Sequence, residues 1–169
     1  MGKILAIIFI SLFITGVFWV GSGEFSIHGH SSITPDNKAF FEEKKPFHLG
    51  YVFRWNGVGQ PVIQDIILIK KDGTKVGNDD KRISIKVYIS EQGIGAVDEG
   101  TAIDEGYFEQ YLPVEDFKVT NKILFLVLRV ELKDESFEND IEQMLIEFKM
   151  MNFNRAKYID FPGIVDETN

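Results

Sequence analysis

Ile83-Ser84-Ile85-Lys86-Val87-Tyr88-Ile89-Ser90 is the stretch that decides the fold class of this 169-residue chain. Aliphatic side chains occupy every second position, and the residues between them are mostly polar. Because successive side chains of a β-strand point to opposite faces of a sheet, this pattern predicts a strand with one buried face. The segment therefore indicates a sheet that covers an apolar core.

Three further segments predict strands of the same sheet type. Residues 62–70 form a near-continuous apolar run rich in β-branched side chains, which is typical of a central strand. Residues 123–133 place apolar side chains on one face, while the other face passes from apolar to charged. Residues 48–55 alternate in the same way. Their predicted inner face consists of Leu49, Tyr51, Phe53 and Trp55.

The last part of the chain permits two interpretations. Residues 140–143 resemble a helix start, and the apolar residues that follow fit helical spacing. The same apolar residues also alternate as in a strand. We favour a closing hairpin of Leu145–Met151 with Arg155–Phe161, preceded at most by a helical turn, and the assignment of residues 140–151 to strand or helix stays open.

Several short strands with regular turn signals predict an all-β fold, an antiparallel β-sandwich, preceded by one N-terminal transmembrane helix. We expect an immunoglobulin-like arrangement of about seven strands. The chain has no cysteine, so it lacks the Cys–Trp–Cys signature of true immunoglobulin domains, and the label describes architecture only. No motif of a known family is recognised.

The N-terminus carries an apolar run, residues 4–20, that begins directly after Lys3 and contains no charged residue. As a helix it would span roughly 25 Å, and the flanking glycines bring it to the thickness of a bilayer core. We predict a cytoplasmic stub at 1–3 and a transmembrane helix or signal-anchor at 4–22, with the C-terminal domain extracytoplasmic. The alternative is signal-peptide cleavage near Gly23, which would give a secreted product.

Residues 23–46 are polar and contain turn-forming glycine, serine and proline, so they predict a tether to a domain at 47–169. A short first strand around Phe25–Ile27 is an option within that tether. The chain carries 18 basic and 26 acidic residues, and without Lys3 the formal net charge is near −9. This charge is repelled by phosphate, so we expect no nucleic-acid partner and a domain that stands off the membrane.

The segment Gly93–Asp116 combines carboxylates with glycine and contains a near-repeat, AVDEG followed by AIDEG. Hard oxygen ligands on a backbone that can curl around an ion suit Ca²⁺. The candidate metal ligands are Asp98, Glu99, Asp104 and Glu105. Because the EF-hand spacing is missing, a solvated acidic loop is the competing interpretation.

The three histidines, His28, His30 and His48, are a weaker candidate for a copper or zinc site. Two of them lie in the predicted tether, and no cysteine or methionine cluster completes the ligand set. No nucleophile-elbow motif, marked pair of catalytic carboxylates or phosphate-binding glycine loop is found. We therefore expect neither an enzyme nor a cofactor.

Aromatic residues beside the acidic segment suggest a binding surface. Tyr107, Phe108 and Tyr111 are the candidates, because aromatic side chains provide large contact areas at interfaces. With no catalytic signal, we predict a protein-interaction or accessory module of the cell envelope whose partners are the lipid bilayer, through residues 4–22, and another envelope protein. The alternative is a secreted or anchored module that binds Ca²⁺ or a glycan.

Overall fold

The computed structural model describes residues 23–77, 80–134 and 136–166. The predicted cytoplasmic stub at 1–3 and transmembrane helix at 4–22 lie outside these residues. Within the described part of the chain, no helix is long and apolar enough to cross a membrane.

The described residues form ten strands and three short helices. The strands are β1 (Glu24–His30), β2 (Phe47–Asn56), β3 (Val62–Lys70), β4 (Ile83–Ser90), β5 (Ala96–Asp98), β6 (Tyr111–Leu112), β7 (Phe117–Lys118), β8 (Ile123–Leu132), β9 (Ile141–Met150) and β10 (Phe153–Asp160). The helices are α1 (Lys38–Phe41), α2 (Glu99–Asp104) and one 3₁₀-helix (Tyr107–Gln110).

The strands form two antiparallel sheets that pack face to face. Sheet A has the order β1-β2-β8-β4-β6, with β5 paired to the first residues of β2, and sheet B has the order β10-β9-β3-β7. The ring of Phe148 in sheet B lies 5.3 Å from Phe25 and 5.8 Å from Trp55 in sheet A, measured between centroids. The fold is therefore an all-β sandwich, with ten strands where about seven were predicted.

The alternation in the sequence correctly identified the inner face of the central strands. Leu49, Tyr51, Phe53 and Trp55 of β2 are at most 3% exposed. Strand β3 has the predicted bounds, and β4 and β8 begin at the predicted Ile83 and Ile123. Burial of these alternating side chains removes apolar surface from water, which is the main stabilising contribution of the core.

The closing hairpin is confirmed, and the choice between strand and helix that the sequence left open for residues 140–151 is decided in favour of strand, without the helical turn that the sequence allowed. Strand β9 is already extended at Ile141, and it pairs with β3 on one side and β10 on the other. Pairing on both sides satisfies the backbone hydrogen-bonding groups of β9 in the strand conformation. The segment therefore forms a strand although its apolar residues also fit helical spacing. Residues 140–151 are therefore strand, apart from Asp140 and the turn residue Met151.

Residues 23–46 pack as part of the folded domain. The short strand that was an option at Phe25–Ile27 extends over all of β1, which pairs with β2. Phe25, Ile33 and Phe40 are each at most 2% exposed. A strand, a short helix and their connections thus stand where a tether was predicted, because apolar residues spaced widely in a polar segment produce no recognisable periodicity.

Candidate functional site

Residues 91–112 lie across the outer face of sheet A, and we call this segment the cover. It leaves the end of β4, reaches β2 through β5, and returns through α2 and the 3₁₀-helix to pair as β6 with β4. Close approach depends on Gly50 of β2, where a Cβ atom would lie 2.0 Å from the carbonyl oxygen of Ile94. Ala102 of the cover is completely buried, and the cover contains the four predicted calcium ligands and the three predicted surface aromatics.

His48 is the polar side chain that the cover buries most completely. It points outward from β2 and is 0% exposed. The hydroxyl of Tyr111 lies 3.0 Å from its Nδ1, and the ring of Phe108 meets it edge-on with centroids 4.8 Å apart. Its Nε2 is buried without a hydrogen-bond partner among the described residues, which costs about 1–3 kcal/mol for a neutral group.

Burial keeps this pair uncharged near neutral pH. Desolvation lowers the pKa of His48, and the nearby carboxylate of Glu99 opposes that effect only in part. Desolvation also raises the pKa of Tyr111 to about 12. A protonated phenol can donate its hydrogen bond to Nδ1 of a neutral imidazole, so the pair attaches the cover to β2 without a buried charge.

An ion pair attaches the other side of the cover. Arg129 of β8 donates to both carboxylate oxygens of Glu99, with nitrogen–oxygen distances of 2.7 to 3.2 Å, and it also contacts Glu131 at 3.0 Å. Two parallel bonds from a guanidinium to one carboxylate fix both position and orientation. Glu99, one of the predicted calcium ligands, is therefore engaged in holding the cover to the sheet.

The other predicted metal ligands do not converge on one point. Asp98 is the N-cap of α2, and its carboxylate accepts bonds from the backbone N–H and the hydroxyl of Thr101 at 3.2 and 2.8 Å. Asp104 and Glu105 are exposed, and the nearby Glu105 carboxylate raises the pKa of Tyr107. Across residues 23–77, 80–134 and 136–166, no three His, Cys, Asp or Glu side chains form a group that could hold a metal ion.

The structure brings together two of the three predicted surface aromatics. Tyr111 is half-buried and stacks on Tyr88 of β4 with centroids 5.3 Å apart, while Phe108 lies 5.4 Å from Tyr111 and keeps 37% of its surface exposed. Tyr107 is half-buried beside them. The aromatics thus have two sides: one packs on His48, and the other faces solvent.

The alternation of residues 48–55 predicts that His48 lies on the outward face of β2, where a solvated side chain is expected. A signal for its burial existed in the neighbouring outward positions, Gly50 on β2 and Val127 on β8, both of which the cover buries. An apolar or small residue at outward positions of adjacent strands indicates a second layer on that face.

No protein family matches this chain, and neither a curated protein nor a solved structure is detectably similar to it.

Proposed function

We propose that this chain is a single-pass membrane protein whose extracytoplasmic domain, an immunoglobulin-like β-sandwich, serves as a protein-interaction or accessory module of the cell envelope. The cover is its partner-binding surface. The partner is another envelope protein, and the domain works by contact rather than by catalysis.

The observation that carries the proposal is the apolar surface that the cover leaves in solvent. Ile103 is 61% exposed and Phe108 37%. Large apolar side chains grouped on one segment of a stable domain are typical of interaction sites. Because His48 and Arg129 hold the cover on a sheet, the partner would meet a preformed surface and little ordering entropy would be lost.

Anchorage is supported by the sequence of residues 4–20, which has no charged residue, and by Lys3, which keeps the N-terminus cytoplasmic under the positive-inside rule. The rival is a secreted domain cut near Gly23. Blotting of washed membranes and of medium separates the two: the anchored form stays full-length in membranes, and the secreted form is shorter by about twenty residues.

Site-specific photo-cross-linking in living cells tests the partner surface. A photoreactive amino acid replaces Ile103 or Phe108 in the full-length chain, with Asp72, in an exposed turn between β3 and β4, as the matched control position. We expect one cross-linked protein shared by positions 103 and 108 and missing at position 72. Products that do not differ among the three positions would overturn the proposed surface.

A further inference from the structure

Three chain connections and the first described residue lie together at one end of the sandwich, which we call the base. They are residues 57–61, residues 119–122, the turn at 151–152 and Gly23. The N–H of Trp55 donates to the carbonyl of Lys122 at 2.7 Å, and that of Val119 to the carbonyl of Pro61 at 2.9 Å. The three connections are thus bonded or packed into one surface.

Close contacts place Gly23 and the hairpin turn on the same surface. A Cβ atom at Gly57 would lie 2.6 Å from Cα of Gly23, and one at Gly59 would lie 3.0 Å from Cε of Met150. The chain therefore enters the domain at the base, beside the connection between β2 and β3.

The base concentrates exposed apolar side chains. Met151 and Phe153 are 66% and 67% exposed, Ile123 is 54% exposed and Val58 51%. These are four of the eight large apolar residues exposed in the described part of the chain. Single exposed apolar residues are ordinary on a protein surface, but four at one end of the sandwich are typical of a contact surface.

The charge of the base is opposite in sign to that of the chain. Residues 56–61, 118–123 and 149–154 contain three exposed lysines, Lys118, Lys122 and Lys149, and no aspartate or glutamate. The whole chain has a formal net charge of −8. Acidic Glu24 and Glu91 lie at the adjoining strand ends, and the carboxylate of Glu24 is 4.0 Å from the ammonium of Lys157. The base thus combines apolar side chains with positive charge, as surfaces that contact anionic membranes do.

The length of chain before β1 limits how far the base can lie from a bilayer. The apolar run ends at Val20, and four residue steps lead from there to Glu24. At full extension these steps span about 14 Å. The polar layer on each side of a bilayer core is roughly 5–7 Å thick. A domain anchored through residues 4–20 therefore holds its base at or near the lipid headgroups.

We infer that the base is a lipid-contact surface for the bilayer in which the chain itself is anchored. Its apolar side chains enter the interface, and its lysines meet the phosphates of anionic headgroups. The inference rests on the membrane anchor of the proposed function. From the net charge we expected the domain to stand off the membrane. The inference differs from that expectation because the acidic residues are concentrated away from the base.

Depth-dependent fluorescence quenching tests this arrangement on the full-length chain. The native chain has no cysteine, so Met151→Cys gives one labelling site at the base, and Ser136→Cys, between β8 and β9, gives the matched control. Each variant carries an environment-sensitive dye and is reconstituted into phosphatidylcholine vesicles with or without phosphatidylglycerol. Contact with the vesicles should blue-shift the label at position 151, headgroup-nitroxide lipids should quench it, both effects should be strongest with phosphatidylglycerol, and the label at position 136 should show neither.

Flotation of the same vesicles separates the two ways in which the experiment can fail. A chain that floats with the vesicles but shows equal quenching at positions 151 and 136 is anchored, and only the lipid-contact surface is then overturned. A chain that does not float with the vesicles would overturn the proposed membrane anchor and, with it, the lipid-contact surface at the base. If the label at position 151 is quenched more strongly than the label at position 136, the double variant Lys122→Gln/Lys149→Gln should reduce the additional quenching that phosphatidylglycerol produces.

Discussion

The base and the opposite end of the sandwich, its apex, use charged residues in different ways. At the apex, where β3 connects to β4 and β8 to β9, two ion pairs are buried or half-buried: Lys70 pairs with Asp80, and Arg82 with Asp140 at 3.1 Å. At the base, lysines stand exposed among apolar side chains. The comparison indicates that charges at the apex stabilise the fold, whereas those at the base are available to an external partner.

Loss of the apical Lys70–Asp80 pair should have the largest effect. Their side chains are 8% and 10% exposed, and Asp80 also accepts the backbone N–H of Arg82 at 2.8 Å. Asp80→Ala leaves an ammonium group buried without its partner, so we expect a loss of about 3 kcal/mol in the free energy of unfolding. Urea unfolding of the full-length chain in detergent measures it, and Lys122→Ala at the base, expected within about 0.5 kcal/mol of wild type, is the control.

The pH dependence of unfolding gives the same prediction an independent readout. Burial opposes ionisation of Asp80, but the Lys70 ammonium and the backbone N–H groups of Arg82 and Ile83 outweigh it and lower the pKa of Asp80. A folded-state pKa below the unfolded value stabilises the protein above about pH 4, and this contribution is lost as the pH falls through the folded value. Asp80→Asn should therefore flatten the acid limb of the stability profile; an unchanged limb would contradict the pairing.

Asp98 should show a smaller effect that distinguishes a structural carboxylate from a metal ligand. As the N-cap of α2 it can be replaced by asparagine, which caps equally well, but not by alanine. We expect Asp98→Ala to cost about 1 kcal/mol and Asp98→Asn almost nothing, with or without millimolar Ca²⁺. Thermal unfolding measures both variants. A calcium-dependent rise in melting temperature that Asp98→Asn abolishes would favour the predicted calcium site instead.

The strands could be predicted because local alternation reports directly on which side chains share a face. Residues 83–90 and 62–70 form strands at the predicted positions, since burial of one face decides both pattern and pairing. Gly50 and Val127 signal that a layer covers this face, but which segment forms the cover could not be predicted. Its position depends on contacts between residues far apart in sequence, such as His48 with Tyr111 and Arg129 with Glu99. Nothing in the local pattern of either segment specifies such a contact.

The candidate metal residues show the same limit. Clustered carboxylates in sequence suggested convergence, yet the short helix α2 separates Asp98 and Glu99 from Asp104 and Glu105, and the first two have partners within the domain. The base could not be predicted either, because Val58, Ile123 and Met151 come from segments that are far apart in the sequence. From the net charge of the chain we expected a domain that stands off the membrane. The positions of the charged residues in the fold instead support contact between the base and lipid.

The turns at the two ends provide the smallest and most specific test of the comparison. At the apex, the turn after β3 has residues suited to it: Gly73 has φ of 83°, and Asp72 accepts the backbone N–H of Thr74 at 2.9 Å. At the base, Met151 and Asn152 both have positive φ, 48° and 67°, in a two-residue hairpin turn. Such turns favour asparagine and glycine, and methionine there is unfavourable.

Met151→Asn should therefore stabilise the domain by about 0.5–1 kcal/mol, because asparagine adopts positive φ several times more readily than other residues. The same substitution should weaken contact with anionic vesicles, which labelling at Phe153→Cys would report. A gain in stability together with a loss of lipid contact means that wild-type Met151 is retained for its exposed apolar side chain. A loss of stability would instead mean that Met151 packs within the domain, and the base would then resemble the apex in serving the fold.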